Sequence, residues 1–179
     1  MPPSLHAPWK QFLNELDALL NEPIVLHCIG GFAVVSAYGL PRSTNDLDYV
    51  TLVPAYCGQD LEQLAGEGSA LAHKYKVHVH RAAVASLPLN YEDRLTEIFA
   101  GQFRNIRLLV LDPYDLVLSK LSRNIERDRD DVKHLAKTQK LDPTTLRERY
   151  DELRPNLIGP PEKHDATLEF WLEAYFQDQ

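Results

Sequence analysis

Cysteine and methionine are almost missing from this chain: two cysteines and one methionine among 179 residues. Cys28 and Cys57 are too few for a disulfide scaffold or a cysteine-based zinc site, and Cys28, inside an apolar run, reads as a buried strand thiol. No apolar run approaches the roughly 20 residues that a helix needs to cross a bilayer. The opening stretch from Met1 to Lys10 lacks the charged-then-apolar layout of a secretion signal. Together these absences point to the cytoplasm and to no membrane partner. Positive charge is short as well. A net charge of −7 argues against a general nucleic-acid coat protein. Internal repeats, low-complexity tracts and long linkers are absent too. Ser36, Ser43 and Ser119 sit in no nucleophile-elbow context, which leaves serine-hydrolase chemistry unsupported.

What is present is ordinary for a globular protein, with 44% apolar and 25% charged residues. The length fits one domain, or a compact core with a helical appendage. Charge is unevenly spread. Between Arg104 and Lys140 nine Lys/Arg face six Asp/Glu, so an RNA or nucleotide partner has a basic face only there.

Residues 8–21 predict an amphipathic helix, with Trp9, Phe12, Leu13, Leu16, Leu19 and Leu20 at helical spacing and Pro8 in the first helical position. Ile24 to Ile29 predicts a strand buried on both faces. Gly31 to Tyr38 predicts a short helix stopped by Gly39 and Pro41, and Asp46 to Val53 a second strand. Residues 60–73 read as a helix weakened by Gly66 and Gly68. Val77 to His80 alternates as a strand does, residues 81–105 are ambiguous, and Arg107 to Leu111 is strand-like. From Asp112 the chain turns helical, with Asp112-Pro113 and Asp142-Pro143 as cap-and-start signals. A last aromatic helix spans about 165–176. The pattern predicts an α/β (α+β) core over residues 1–111 and a helical C-terminal portion over 112–179.

The chemistry concentrates in residues 29–50. A glycine pair, Gly30-Gly31, leaves one apolar strand and opens a helix, where backbone N–H groups and the helix dipole favour phosphate. Asp46 and Asp48 follow on the next strand. Residues i and i+2 of a strand point the same way, so the two carboxylates share one spot while Leu47 and Tyr49 face a core. Oxygen-only ligands with room for phosphate oxygens suit magnesium. Arg42 and Thr44, just upstream, could add a bidentate phosphate grip and a hydroxyl donor. Farther on, Lys120, Asn124, Arg127 and Asp131 form one stripe if the helix there is unbroken. A solvated face of i, i+4 ion pairs explains that stripe equally well. His78 and His80 share a strand face without an evident third metal ligand.

Gly30-Gly31 followed by Asp46-Leu47-Asp48 resembles the signature of the nucleotidyltransferase (polymerase-beta-like) superfamily. Asp115-Leu-Val-Leu-Ser-Lys120 and Arg127-Asp-Arg-Asp-Asp131 are similar to later motifs of AbiEii-type nucleotidyltransferase toxins. The resemblance spans about residues 24–138. It implies a mixed sheet flanked by helices, a nucleoside triphosphate substrate and Mg2+, with nucleotide transfer to a hydroxyl. Some relatives are toxins that modify transfer RNA and are countered by an antitoxin protein. Carried over residue by residue, Gly30 and Gly31 would hold the triphosphate through the backbone, and Asp46 and Asp48 the metal. Lys120 would meet the triphosphate charge, and Arg127 and Asp131 would close the site.

Two departures stand out. Gly31 replaces a residue that is often serine, so its phosphate-holding hydroxyl is missing. Where many members have a third acid on a later strand, this chain has His78 and His80. Asp131 is then the first candidate for the base and His80 the second. The alternative is a nucleotidyltransferase-like module that binds nucleotide or a partner without chemistry; a magnesium-dependent phosphohydrolase ranks third.

Overall fold

The computed structural model describes residues 5–55, 60–83 and 85–176. Cys57 lies outside the described residues; Cys28 is a buried free thiol. The chain divides into two compact units, one of residues 1–84 with 95–111, the other of 85–94 with 112–179.

The first unit holds a five-stranded mixed sheet flanked by helices. Helix α1 (Trp9–Leu19) buries Phe12, Leu13 and Leu16 as the apolar spacing predicts. Leu19 departs from that stripe: it ends the helix and is 44% exposed. Strand β1 (Ile24–Ile29) is the sheet's middle strand and almost wholly buried, which accounts for its unbroken apolar run. Helix α2 (Gly30–Tyr38) starts directly at the glycine pair and ends at Gly39, whose φ of 70° is the left-handed cap that glycine supplies. Strand β2 (Asp46–Val53) pairs antiparallel with β1.

The predicted single helix over 60–73 is two helices, α3 (Leu61–Ala65) and α4 (Ala70–Tyr75). A side chain at Gly66 would strike the Glu62 carbonyl, so the chain leaves the helix there. Asp60 and Ser69 cap the two segments by accepting hydrogen bonds from Glu62 N and Ala72 N, each at 3.0 Å. Strand β3 (His78–Arg81) runs parallel to β2, and the ambiguous stretch supplies a short edge strand, β4 (Thr96–Ile98). Strand β5 (Ile106–Val110) lies between β1, to which it is parallel, and β4, to which it is antiparallel. The order across the sheet is β3-β2-β1-β5-β4.

The second unit is helical. Helix α5 (Pro113–Ser119) and helix α6 (Glu126–Gln139) are followed by α7 (Pro143–Leu153) and α8 (Pro161–Tyr175). Asp112 and Asp142 cap α5 and α7 through the N–H groups of Asp115 (2.8 Å) and Thr145 (2.7 Å), as their positions before proline predict. The helix assumed to carry the stripe from Lys120 to Asp131 is broken. Lys120 caps the end of α5, Asn124 takes a φ of 45°, and α6 starts only at Glu126. The last helix begins four residues before the predicted start, at Pro161, where proline's fixed φ suits the first turn. Trp171 is fully buried, whereas Phe170 on the same helix is 51% exposed.

Candidate active site

The residues around the glycine pair come together because β2 pairs with the strand that feeds it. In the β1–β2 register Asp48 stands opposite Ile29, the residue just before Gly30. Gly30 has a φ of 67°, a conformation that L side chains rarely adopt. A Cβ built on it would collide with Asp48 Oδ2 and lie 3.3 Å from Asp48 Cγ. Glycine is therefore required twice at this position, by the turn and by the carboxylate.

The second glycine makes room for the loop before β2. A Cβ on Gly31 would stand 2.8 Å from Arg42 Nη2 and 3.3 Å from Thr44 Oγ1. The guanidinium thus lies over the start of α2, where Ile29 as N-cap has no side-chain acceptor for the first helical N–H groups. Thr44 is buried, and its hydroxyl donates to Asp46 Oδ1 at 2.8 Å. The same residue's carbonyl accepts from Trp9 Nε1 at 3.1 Å. Trp9 in turn packs edge-on against Phe12 and Phe32, so the apolar core fixes the loop that carries Arg42 and Thr44.

Along β2, Leu47 and Tyr49 are buried while Asp46 and Asp48 are half-buried on the opposite face, the alternation expected of the strand. Asp48 also acts at a distance. Burial, and then the Asp48 charge, push the Cys28 thiol far above its ordinary value, which leaves that thiol inert at neutral pH. Beside the two aspartates on β3 stand their register partners, His78 next to Asp46 and His80 next to Asp48. In a parallel pair these side chains emerge from the same sheet face. Among the described residues no group of three or more His, Cys, Asp or Glu is arranged to hold a metal ion. A pair of adjacent carboxylates is nevertheless the donor set that suits magnesium, which keeps water and substrate phosphate as its other ligands.

The other sequence candidates belong to the second unit. Lys120 and Asp131 are brought together there, Nζ to Oδ2 at 2.8 Å, with side chains only 4% and 1% exposed. Asp128 Oδ1 is 3.7 Å from the same ammonium. The lysine and aspartate thus neutralise each other in the interior. In place of one stripe on an unbroken helix, they form a buried pair spanning the α5–α6 break. Arg127, expected on the same stripe, is exposed at the start of α6.

Asp128 is the residue that the sequence reading passed over. It accepts two hydrogen bonds from Arg123 (2.8 and 2.6 Å) and one from Ile125 N (3.2 Å). Burial alone would raise its carboxyl. The Arg123 hydrogen bonds, with the Lys120 and Arg123 charges and the Ile125 N–H, outweigh burial and hold it below the usual carboxylate range. Its position, third in a helix that starts just after Ile125, was a usable signal.

A family model described as "Nucleotidyltransferase of unknown function (DUF6036)" matches residues 10–177. The chain belongs to this family. The match covers both compact units, so the DUF6036 domain includes the sheet with its glycine turn as well as the helical part. It agrees with the nucleotidyltransferase resemblance carried by Gly30-Gly31 and Asp46-Leu47-Asp48; the AbiEii-type likeness is a separate matter that this match does not address. Neither the curated proteins nor the solved structures give a significant match. Among the described residues, no helix of this DUF6036 member is long and apolar enough to cross a membrane.

Proposed function

We propose that this DUF6036 member transfers a nucleoside monophosphate from a nucleoside triphosphate to an acceptor hydroxyl. The observation that carries the reading is the close approach of Asp48 to Gly30, which places the carboxylate pair of β2 at the uncapped start of α2. The N–H groups at that helix start receive phosphate oxygens, and the dipole favours their charge. Arg42, lying over Gly31, supplies a two-pronged donor to the same phosphate chain and takes the place of a side-chain hydroxyl at the second glycine. Thr44 holds Asp46 in orientation through the 2.8 Å hydrogen bond. Asp46 and Asp48 would hold magnesium, which supplies neutralisation of phosphate charge when bound.

In the reaction the acceptor oxygen forms a bond to the α-phosphorus, the bond to the bridging oxygen of the β-phosphate breaks, and pyrophosphate leaves with the electron pair. The acceptor proton needs a base. Asp131 is already committed to Lys120 in the interior, so the role falls to His80, the register partner of Asp48. The protein's contribution is otherwise positioning and fixed charge. The acceptor is an RNA end, a small molecule or a protein side chain. The likeness to AbiEii-type toxins puts transfer RNA, and an antitoxin partner, first in line for testing.

The test is incubation of the protein with each α-labelled triphosphate and total cellular RNA, with and without magnesium. Label in a macromolecular fraction with matching pyrophosphate release supports transfer. A second reading has its own observation: β3 offers His78 and His80 where a third acid would complete a two-metal site. Triphosphate binding with neither labelled product nor pyrophosphate would favour that reading, a nucleotide-binding module.

A further inference from the structure

A groove of about 1010 Å³ opens in the second unit, lined by Lys133, Lys137, Lys140, Asp142, Pro143 and Tyr175, with Ala174 beside the tyrosine. It lies between the C-terminal half of α6, the start of α7 and the last turn of α8. Lys133 and Lys137 fall at i and i+4 on one face of α6, Lys140 is the left-handed residue that ends that helix (φ 48°), and all three are exposed. Rise along a helix separates the first from the last by about 10 Å. That span exceeds a single phosphate group and is comparable with consecutive phosphates of an extended strand.

Two further features bear on an anion there. The one acid in the lining, Asp142, caps α7, accepting from Thr145 N (2.7 Å) and Thr145 Oγ1 (2.8 Å), and as a carboxylate turned to the α7 start it offsets one of the three lysine charges. Its carboxyl is held below the ordinary range first by the Thr145 backbone N–H and then by the Thr145 hydroxyl. On the opposite wall the Lys133 ammonium sits 5.1 Å from the centre of the Tyr175 ring, and Phe170 packs edge-on against that ring at 5.9 Å. The aromatic pair therefore steadies Lys133 along the groove. Its other neighbour, Asp130, is 3.7 Å away in an exposed pair of the kind that contributes little. Complementing the negative end of α6 accounts for Lys137 and Lys140 but not for Lys133, nearly two turns earlier.

We propose that this groove binds the phosphate backbone of a single-stranded polynucleotide, with Lys133, Lys137 and Lys140 each meeting a phosphate. The site lies wholly within the helical unit and does not depend on the nucleotide chemistry proposed above. In a chain of net charge −7 the attraction is local, so binding is steeply salt-dependent rather than tight.

The experiment follows the anisotropy of a labelled single-stranded RNA of about a dozen nucleotides, with full-length protein and no triphosphate. Three phosphate contacts predict a log–log salt slope near −2, or roughly a 15- to 20-fold loss of affinity between about 50 and 200 mM salt. Combined replacement of Lys133, Lys137 and Lys140 by Gln removes the binding. Replacing all three by Arg keeps it, which separates charge from folding. Lys10→Gln with Lys163→Gln, charges outside the groove, leaves it unchanged. Long-chain polyphosphate competes, and ATP at the same phosphate concentration does not. The Asp48→Ala protein binds as wild type, so loss of catalysis and loss of this site read out separately. Unaltered affinity and slope in the triple Gln variant would overturn the proposal, as would loss of binding in Asp48→Ala. Equal competition by ATP would also overturn it and leave a small-anion site.

Discussion

The carboxylates of the sheet and those of the helical unit meet opposite surroundings. Asp128 and Asp131 are 0% and 1% exposed, and each is bonded to a cation, Arg123 for the first and Lys120 for the second. Such acids are spent on holding the α5–α6 junction together. Asp46 and Asp48 stand half-buried and side by side on β2, with Asp48 against Gly30, where a side chain would collide with it. One arrangement is an ion cluster closed in the interior; the other is a pair of carboxylates set beside a backbone turn. Sequence proximity to charged residues does not separate the two; burial and the identity of the facing backbone do.

The contrast is broken most forcefully at Lys120 and Asp131. Asp131→Ala leaves a buried ammonium short of its partner and is expected to cost about 3–5 kcal/mol. Replacing both residues by apolar ones of similar size should restore much of that loss. Denaturant unfolding of the single and double variants checks this, and an Asp131→Ala protein of wild-type stability would mean the pair is not structural.

Next come the glycines, where stability and activity should part company. Gly30→Ala forces a side chain into a left-handed backbone at about 1–2 kcal/mol and against Asp48, so both melting temperature and turnover should fall. Gly31→Ala needs the Arg42 guanidinium to give way and the Thr44 hydroxyl to shift by a few tenths of an ångström. It should leave folding nearly intact while raising KM for the triphosphate about tenfold, the loss of one charged hydrogen-bonding group. Equal effects from the two substitutions would remove the distinction drawn between the two glycines.

These expectations also mark how far the residues alone could lead. The strand limits at Ile24–Ile29 and Asp46–Val53 follow from apolar runs and turn residues, and so do the caps at Asp112 and Asp142. The same-side placement of Asp46 and Asp48 follows from period-2 alternation. What pattern could not supply was register. That Asp48 stands opposite Ile29, and that His80 stands beside Asp48, depends on how three strands align, with an irregularity in the β1–β2 pairing between His27 and Cys28. Helical spacing misled at Lys120, because it assumed continuity through Asn124, where the chain turns left-handed. The merit of Asp128 was hidden in a run of charges that reads as solvated.

The smallest expected effect concerns acid. The native Asp128 carboxyl is held below its unfolded value, so its contribution to stability is fully present above about pH 4 and drains away as pH falls below it. The stability difference between wild type and Asp128→Asn should therefore shrink on acidification. A difference that stays constant down to pH 2 would show that the carboxylate's charge contributes nothing there.

The most direct measurement concerns Asp48. Calorimetric titration of the magnesium–triphosphate into wild type and Asp48→Ala, paired with pyrophosphate release from the same samples, tests whether β2 and the glycine turn form one site. The expected result is a folded variant with unchanged melting temperature, weakened magnesium-dependent binding and turnover reduced on the order of a hundredfold or more. Full binding and full pyrophosphate release by Asp48→Ala would contradict the account.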